Sequence, residues 1–130
     1  MKINLRLLIR LLEERLNFCL EEKYIMNRLP DVEVIFRFNG MRKKPANDGY
    51  RPAHLVADNY LTTGIHHYYG VESIPPNGTG MGTITFLSPE LYPHCLWIGK
   101  IISIQEGARI VGYATIIQIY NKSLCLENQE

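Results

Sequence analysis

Cysteine is scarce in this chain: three residues in 130, Cys19, Cys95 and Cys125, widely spaced and without a Cys-x-x-Cys pair. An odd count at such spacing supports neither a disulfide framework nor a thiolate zinc site, and it points to a reducing compartment. Long apolar runs are missing too. The opening stretch, MKINLRLLIRLLEERL, is broken by Arg6, Arg10, Glu13 and Glu14. Neither a secretory signal nor the ~20 apolar residues of a membrane span is expected, and the protein is read as cytoplasmic with no membrane partner. Charge of one sign is absent, with 14 Lys and Arg against 13 Asp and Glu and a formal charge of +1. There is no overall pull toward nucleic acid, so any such binding needs a local patch. A phosphate-binding loop is lacking as well. The nearest approach, Gly99-Lys100, is followed by Ile101 and has His94 where the first glycine belongs, so no nucleotide and no cofactor is expected.

The segment before Pro30 contains neither glycine nor proline, and Leu5, Leu8, Leu12, Leu16 and Cys19 recur at three- and four-residue steps. This spacing predicts an amphipathic N-terminal α-helix over residues 1–29, ended by Pro30 and Asp31. Beyond it the period changes to two. Val32, Val34, Phe36 and Phe38 alternate with Glu33 and Arg37, the signature of a half-buried strand, and Asn39-Gly40 predicts a turn. Residues 41–48 read as a loop. Further apolar or β-branched runs follow at 54–56, 62–69, 80–87, 96–104 and 110–120, giving six strands, and Gln105-Glu106-Gly107-Ala108 reads as a hairpin connection between the last two. Gly112 is expected to mark a bend or bulge in an unusually long final strand. Six strands without intervening helices favour a closed antiparallel barrel or a small sandwich over residues 30–124, because closure removes exposed edges. Residues 125–130 read as an acidic tail.

Two short motifs in this strand framework carry a resemblance. Gly49-Tyr50-Arg51-Pro52 follows the first strand, and Gln105-Glu106-Gly107-Ala108-Arg109-Ile110-Val111-Gly112 precedes the last, with Thr63-Gly64 between them. Together they resemble the C-terminal β-barrel domain, domain III, of bacterial elongation factor Tu, over about residues 31–121. The family has GYRP at the first place and R-E-G-G-R-T-V-G at the second. The resemblance implies a six-stranded antiparallel Greek-key β-barrel that binds other macromolecules through one edge. It implies a protein partner first, in a translation-linked complex, and a tRNA stem second. The RNA-contact positions it implies are Ala53, Thr63, Glu106 and Gly107. Ala53 departs from the family's Gln and removes one polar contact, and Ala108 replaces the second Gly.

The residues of these motifs also have roles independent of the name. Arg51, held before a proline, is placed to pair with a carboxylate, Glu106 or Asp48 being the candidates. Gly107 is expected to take a positive φ in a tight connection. Arg42, Lys43 and Lys44, with Tyr60, Tyr68 and Tyr69 near in sequence, form a candidate basic and aromatic surface. His54, His66, His67, His94 and Cys95 give no metal site: neighbours in a strand point to opposite faces, so these histidines are expected at the surface or rim. Nothing frames Cys95 as a nucleophile, and no apolar pocket is legible around Glu90 or Glu106. No enzyme is therefore expected. The expected function is a non-catalytic binding module acting through Tyr50, Arg51, Ala53, Thr63, Glu106, Gly107 and Arg109 with the Arg42–Lys44 loop. The alternative is an immunity protein or decoy that mimics the elongation factor to neutralise a toxin.

Overall fold

The computed structural model describes residues 28–126. The predicted N-terminal helix falls almost wholly outside these residues. Eight strands appear in chain order: β1 (Val32–Phe38), β2 (Ala46–Asn47), β3 (Ala53–Ala57), β4 (Tyr60–Tyr68), β5 (Ser73–Ile74), β6 (Thr79–Phe86), β7 (Ile101–Glu106) and β8 (Arg109–Ile119). Six of them close into a barrel in the order β1-β6-β4-β3-β7-β8, every pairing antiparallel, with β8 returning to β1. No α-helix occurs among the described residues, and so no helix there is long and apolar enough to cross a membrane.

The period of two explains the barrel. Val32, Val34 and Phe36 of β1 are fully buried while Arg37 faces out, and Ile84, Phe86, Ile102, Ile104 and Ile116 supply the opposing interior. A six-stranded barrel has room only for side chains, so these apolar groups fill its interior and close packing supplies its stability. Asp31 seals one end: its buried carboxylate accepts the Phe86 amide at 2.7 Å and the Asn121 side chain at 2.8 Å, and pairs with Arg28. In β8, Ile104 faces Gly112 while Gln105 faces Ile110, leaving Val111 as the extra residue of a bulge. The irregularity expected at Gly112 is therefore present. Gly112 itself is required by close approach, since a Cβ there would lie 2.6 Å from the Arg37 carbonyl oxygen.

Three segments differ from the sequence reading. The stretch 41–48 is not all loop, because Ala46 and Asn47 pair with Ile74 and Ser73 in a small side ribbon too short to carry a periodic signal. The strand expected from residue 96 begins only at Ile101. Gly99 has φ 94°, and the Lys100 amide bonds back to the Trp97 carbonyl, turning the apolar run before it enters the sheet. Cys125 and Leu126, placed in a tail by composition, are docked instead: Cys125 bridges to Leu96, and the Leu126 amide donates to the Leu96 carbonyl at 2.7 Å.

Candidate functional site

The β7–β8 hairpin turns through Gly107 and Ala108, with Gly107 at φ 63°, the left-handed conformation expected of it. This tight turn projects Glu106 and Arg109 at one end of the barrel, where Arg109 pairs with Glu106 at 3.1 Å. The loop between β1 and β2 brings Arg42 to the same carboxylate, and the Tyr50 hydroxyl donates to it as well. The Arg42 guanidinium lies 4.4 Å from the centre of the Tyr50 ring, a cation–π contact. Two guanidiniums and a phenol thus converge on one carboxylate. The Tyr50 hydroxyl, then Arg42 and Arg109, hold the Glu106 carboxyl below the usual range against the opposing effect of burial. Burial and the Glu106 bond push the Tyr50 phenol up. Burial works to lower the Arg42 pKa, and Tyr50 and Glu106 raise it on balance.

Of the ten residues expected to form the site, Arg42, Tyr50, Glu106 and Arg109 meet directly at this rim, with Gly107 between the last two. Ala53 and Thr63 lie in a row beside it, since Ala53 faces Thr63 on one side and Gln105 on the other. Lys43, Lys44 and Arg51 are exposed. Of the carboxylates suggested for Arg51, Glu106 takes Arg42, Tyr50 and Arg109, and Asp48 accepts the Tyr68 amide at 2.7 Å and pairs with His67 at 3.0 Å. The basic and aromatic surface is not assembled as expected. Tyr68 points inward and is buried, Tyr60 packs on Tyr92, and Tyr69 donates to Glu33, so Tyr50 is the aromatic that meets Arg42.

The histidines require the largest correction. His66 and His67 do point to opposite faces, but His54 and His66 are not at the surface: both are fully buried in the barrel interior. Their Nε2 atoms are 2.8 Å apart, His54 Nδ1 lies 3.3 Å from the Thr62 carbonyl oxygen, and His66 Nδ1 lies 2.9 Å from the Tyr68 hydroxyl. A carbonyl can only accept, so His54 carries its proton on Nδ1 and presents a bare Nε2. His66 must then donate from Nε2 and accept the Tyr68 O–H at Nδ1. Three hydrogen bonds run in one direction, Tyr68 to His66 to His54 to Thr62, and satisfy both rings in their neutral form. Burial pushes the His54 imidazole down to about 4 and the His66 imidazole well below its ordinary value, with His54 adding to the effect on His66. The sequence did hold a signal for this network: in β4, Gly64, His66 and Tyr68 share one face by alternation. The apolar pattern alone gave no reason to place two imidazoles there.

Among the described residues no group of three His, Cys, Asp or Glu side chains is placed to hold a metal ion. No model of a known protein family matches the chain, and no curated protein matches it.

Proposed function

We propose that the protein is a non-catalytic binding module that meets another protein through the Glu106 rim and the adjoining outer face of the barrel. The observation that carries this reading is the composition of that face. Leu61, Leu55, Ser103 and Tyr113 follow one another across β4, β3, β7 and β8 by strand register, next to the Thr63, Ala53 and Gln105 row. Leu61, Leu55 and Tyr113 are 47%, 38% and 43% exposed, and Ile110 beside the hairpin is 37% exposed. Exposed leucines and a tyrosine bordered by arginines match the make-up of a protein interface, with an apolar centre and a polar margin.

Rim electrostatics favour a protein over an RNA stem. Phosphate binding needs free guanidinium and ammonium donors. Arg42 already donates to Glu106, to the Lys44 carbonyl and to the Pro45 carbonyl, and Arg109 also pairs with Glu106. The order of strands and the placement of the Gly49–Pro52 and Gln105–Gly112 motifs support a Greek-key arrangement like that of elongation factor Tu domain III. On that reading the partner is translation-linked and the protein acts in the cytoplasm, without nucleotide or other cofactor. A mimic that neutralises a toxin would use the same surface.

The test is co-purification from the native host with the wild-type chain and with a Leu55→Arg, Tyr113→Glu variant shown to be folded. A partner retained by the wild type and lost by the variant supports the reading. Retention of tRNA with a steep salt dependence, weakened by changing Arg42, Lys43 and Lys44 to Ala, overturns it in favour of RNA. A recovered toxin domain identifies the mimic.

A further inference from the structure

The buried histidine pair has no role in the binding surface just described, yet it is tied to that surface through the backbone. The His66 amide donates to the Tyr50 carbonyl at 2.8 Å, and the Gly49 amide donates to the His66 carbonyl at 2.8 Å. The His66 ring also stands edge-on to the Tyr50 ring, with centroids 5.3 Å apart. Tyr50 in turn carries Arg42 on its face and Glu106 on its hydroxyl. A single side chain therefore separates the interior network from the charged rim.

We propose that His54 and His66 form a proton-operated latch, which in its neutral state fastens β3 to β4 and holds Tyr50 in the rim cluster, and which on taking up a proton releases the Gly49–Tyr50 segment.

Hydrogen-bond directions give the reason. With Thr62 fixing the His54 tautomer, both donors and both acceptors of the pair are already used. A further proton on His54 Nε2 would face the His66 N–H, donor against donor. A further proton on His66 Nδ1 would force the Tyr68 hydroxyl to turn and find another acceptor in an interior where Tyr68 is only 2% exposed. The groups packed against the two rings cannot compensate the charge. The aromatic rings against them are Phe36 from β1, Phe86 from β6, Tyr68 from β4 and Tyr50 from the segment before β3, none of them an anion near neutral pH. Tyr92 reaches the network through the Thr62 hydroxyl and the Phe86 ring, and Asp48, Glu106 and Arg42 lie one residue farther out, on Tyr68 and Tyr50.

The sign follows from linkage. Both imidazoles are held neutral in the folded chain and are free to protonate in the unfolded chain. The stability they contribute is whole above about pH 6.5 and falls as the pH drops from there toward about 4, the value for His54. Each such histidine raises the unfolding equilibrium constant by up to about tenfold per pH unit in that window, so the pair approaches about a hundredfold.

Three measurements on the full chain test the latch. Long-range proton–nitrogen NMR correlations of the imidazoles, followed from pH 8 to pH 4.5, should show a His54 Nδ1–H and a His66 Nε2–H tautomer that persist well below pH 6.5. Titration of either ring near 6.5 in the folded protein overturns the proposal. Urea unfolding followed by fluorescence of Trp97, the sole tryptophan, should give a midpoint that falls steeply between pH 6.5 and 5. The same midpoint should change much less in a His54→Leu, His66→Leu variant, and an equal fall in that variant overturns the proposal. Should the variant not fold, the imidazole tautomers of the wild type decide. Finally, amide exchange corrected for intrinsic rate should show the His66 and Gly49 amides losing protection at pH 5 before the amides between β1 and β8. A uniform loss around the barrel means that acid merely unfolds the chain, and the latch is wrong.

Discussion

Two polar networks stand within one residue of each other in this protein, and they solve the same problem in opposite ways. At the rim, Glu106 is ionised and matched by Arg42, Arg109 and the Tyr50 hydroxyl. In the barrel interior, His54 and His66 are neutral and linked in a chain from Tyr68 to Thr62. Access to water is what differs. The Glu106 side chain is 29% exposed, so solvent shares the cost of its charge, whereas both histidines are wholly buried and a charge on either would have to be carried by the protein alone. A polar group in a barrel core is tolerated in the protonation state that leaves no donor or acceptor unused.

The sharpest way to break this contrast is to remove one histidine. His54→Ala opens a cavity and orphans the His66 N–H, and should destabilise the barrel by about 3–5 kcal/mol in urea unfolding at pH 7.5. A loss below about 1 kcal/mol would show that water enters the interior and that the two regions are less different than described. A smaller effect is expected from crowding the same site without touching its polarity. A Cβ at Gly64 would lie 2.6 Å from Ile84 Cγ2 and 3.0 Å from His54 Cε1, so Gly64→Ala should cost about 1–3 kcal/mol and disturb the His54 tautomer signals.

At the rim the changes should be milder. Tyr50→Phe deletes one hydrogen bond to a partly solvated carboxylate and should cost about 1 kcal/mol. That loss should shrink as salt is raised, because the Glu106 pairs are screened, while the cost of His54→Ala should not. The pH response separates the regions further. The Glu106 carboxyl is held below its ordinary value of 4.5, so its contribution is whole above that value and is lost as the pH falls from there through the lower folded value; Glu106→Gln should remove this acid limb while leaving the histidine limb between pH 6.5 and 5 intact. The smallest effect is expected for Lys43→Ala with Lys44→Ala, both exposed, at within about 0.5 kcal/mol of the wild type.

Much of the barrel was legible in advance because alternation is a local signal. Val32, Val34, Phe36 and Phe38 place themselves on one face, the Gly107 turn follows from backbone sterics, and Gly112 beside the Val111 bulge follows from the excess length of β8. Around the rim, Glu106, Gly107 and Arg109 were legible because they share one hairpin. The partnership of Glu106 with Arg42 was not, since it joins residues 64 apart in the chain.

The sequence by itself determined the six strands of the barrel and the inward face of β1, because the two-residue period of an extended chain depends only on neighbouring residues. It also determined that His66 and His67 point opposite ways. Only the tertiary structure decided that His66 is the inward one in contact with His54, and that Tyr50 links this pair to the rim. Barrel closure sets those distances: it brings β3 beside both β4 and β7, and the desolvation it imposes fixes which groups carry charge and which stay neutral.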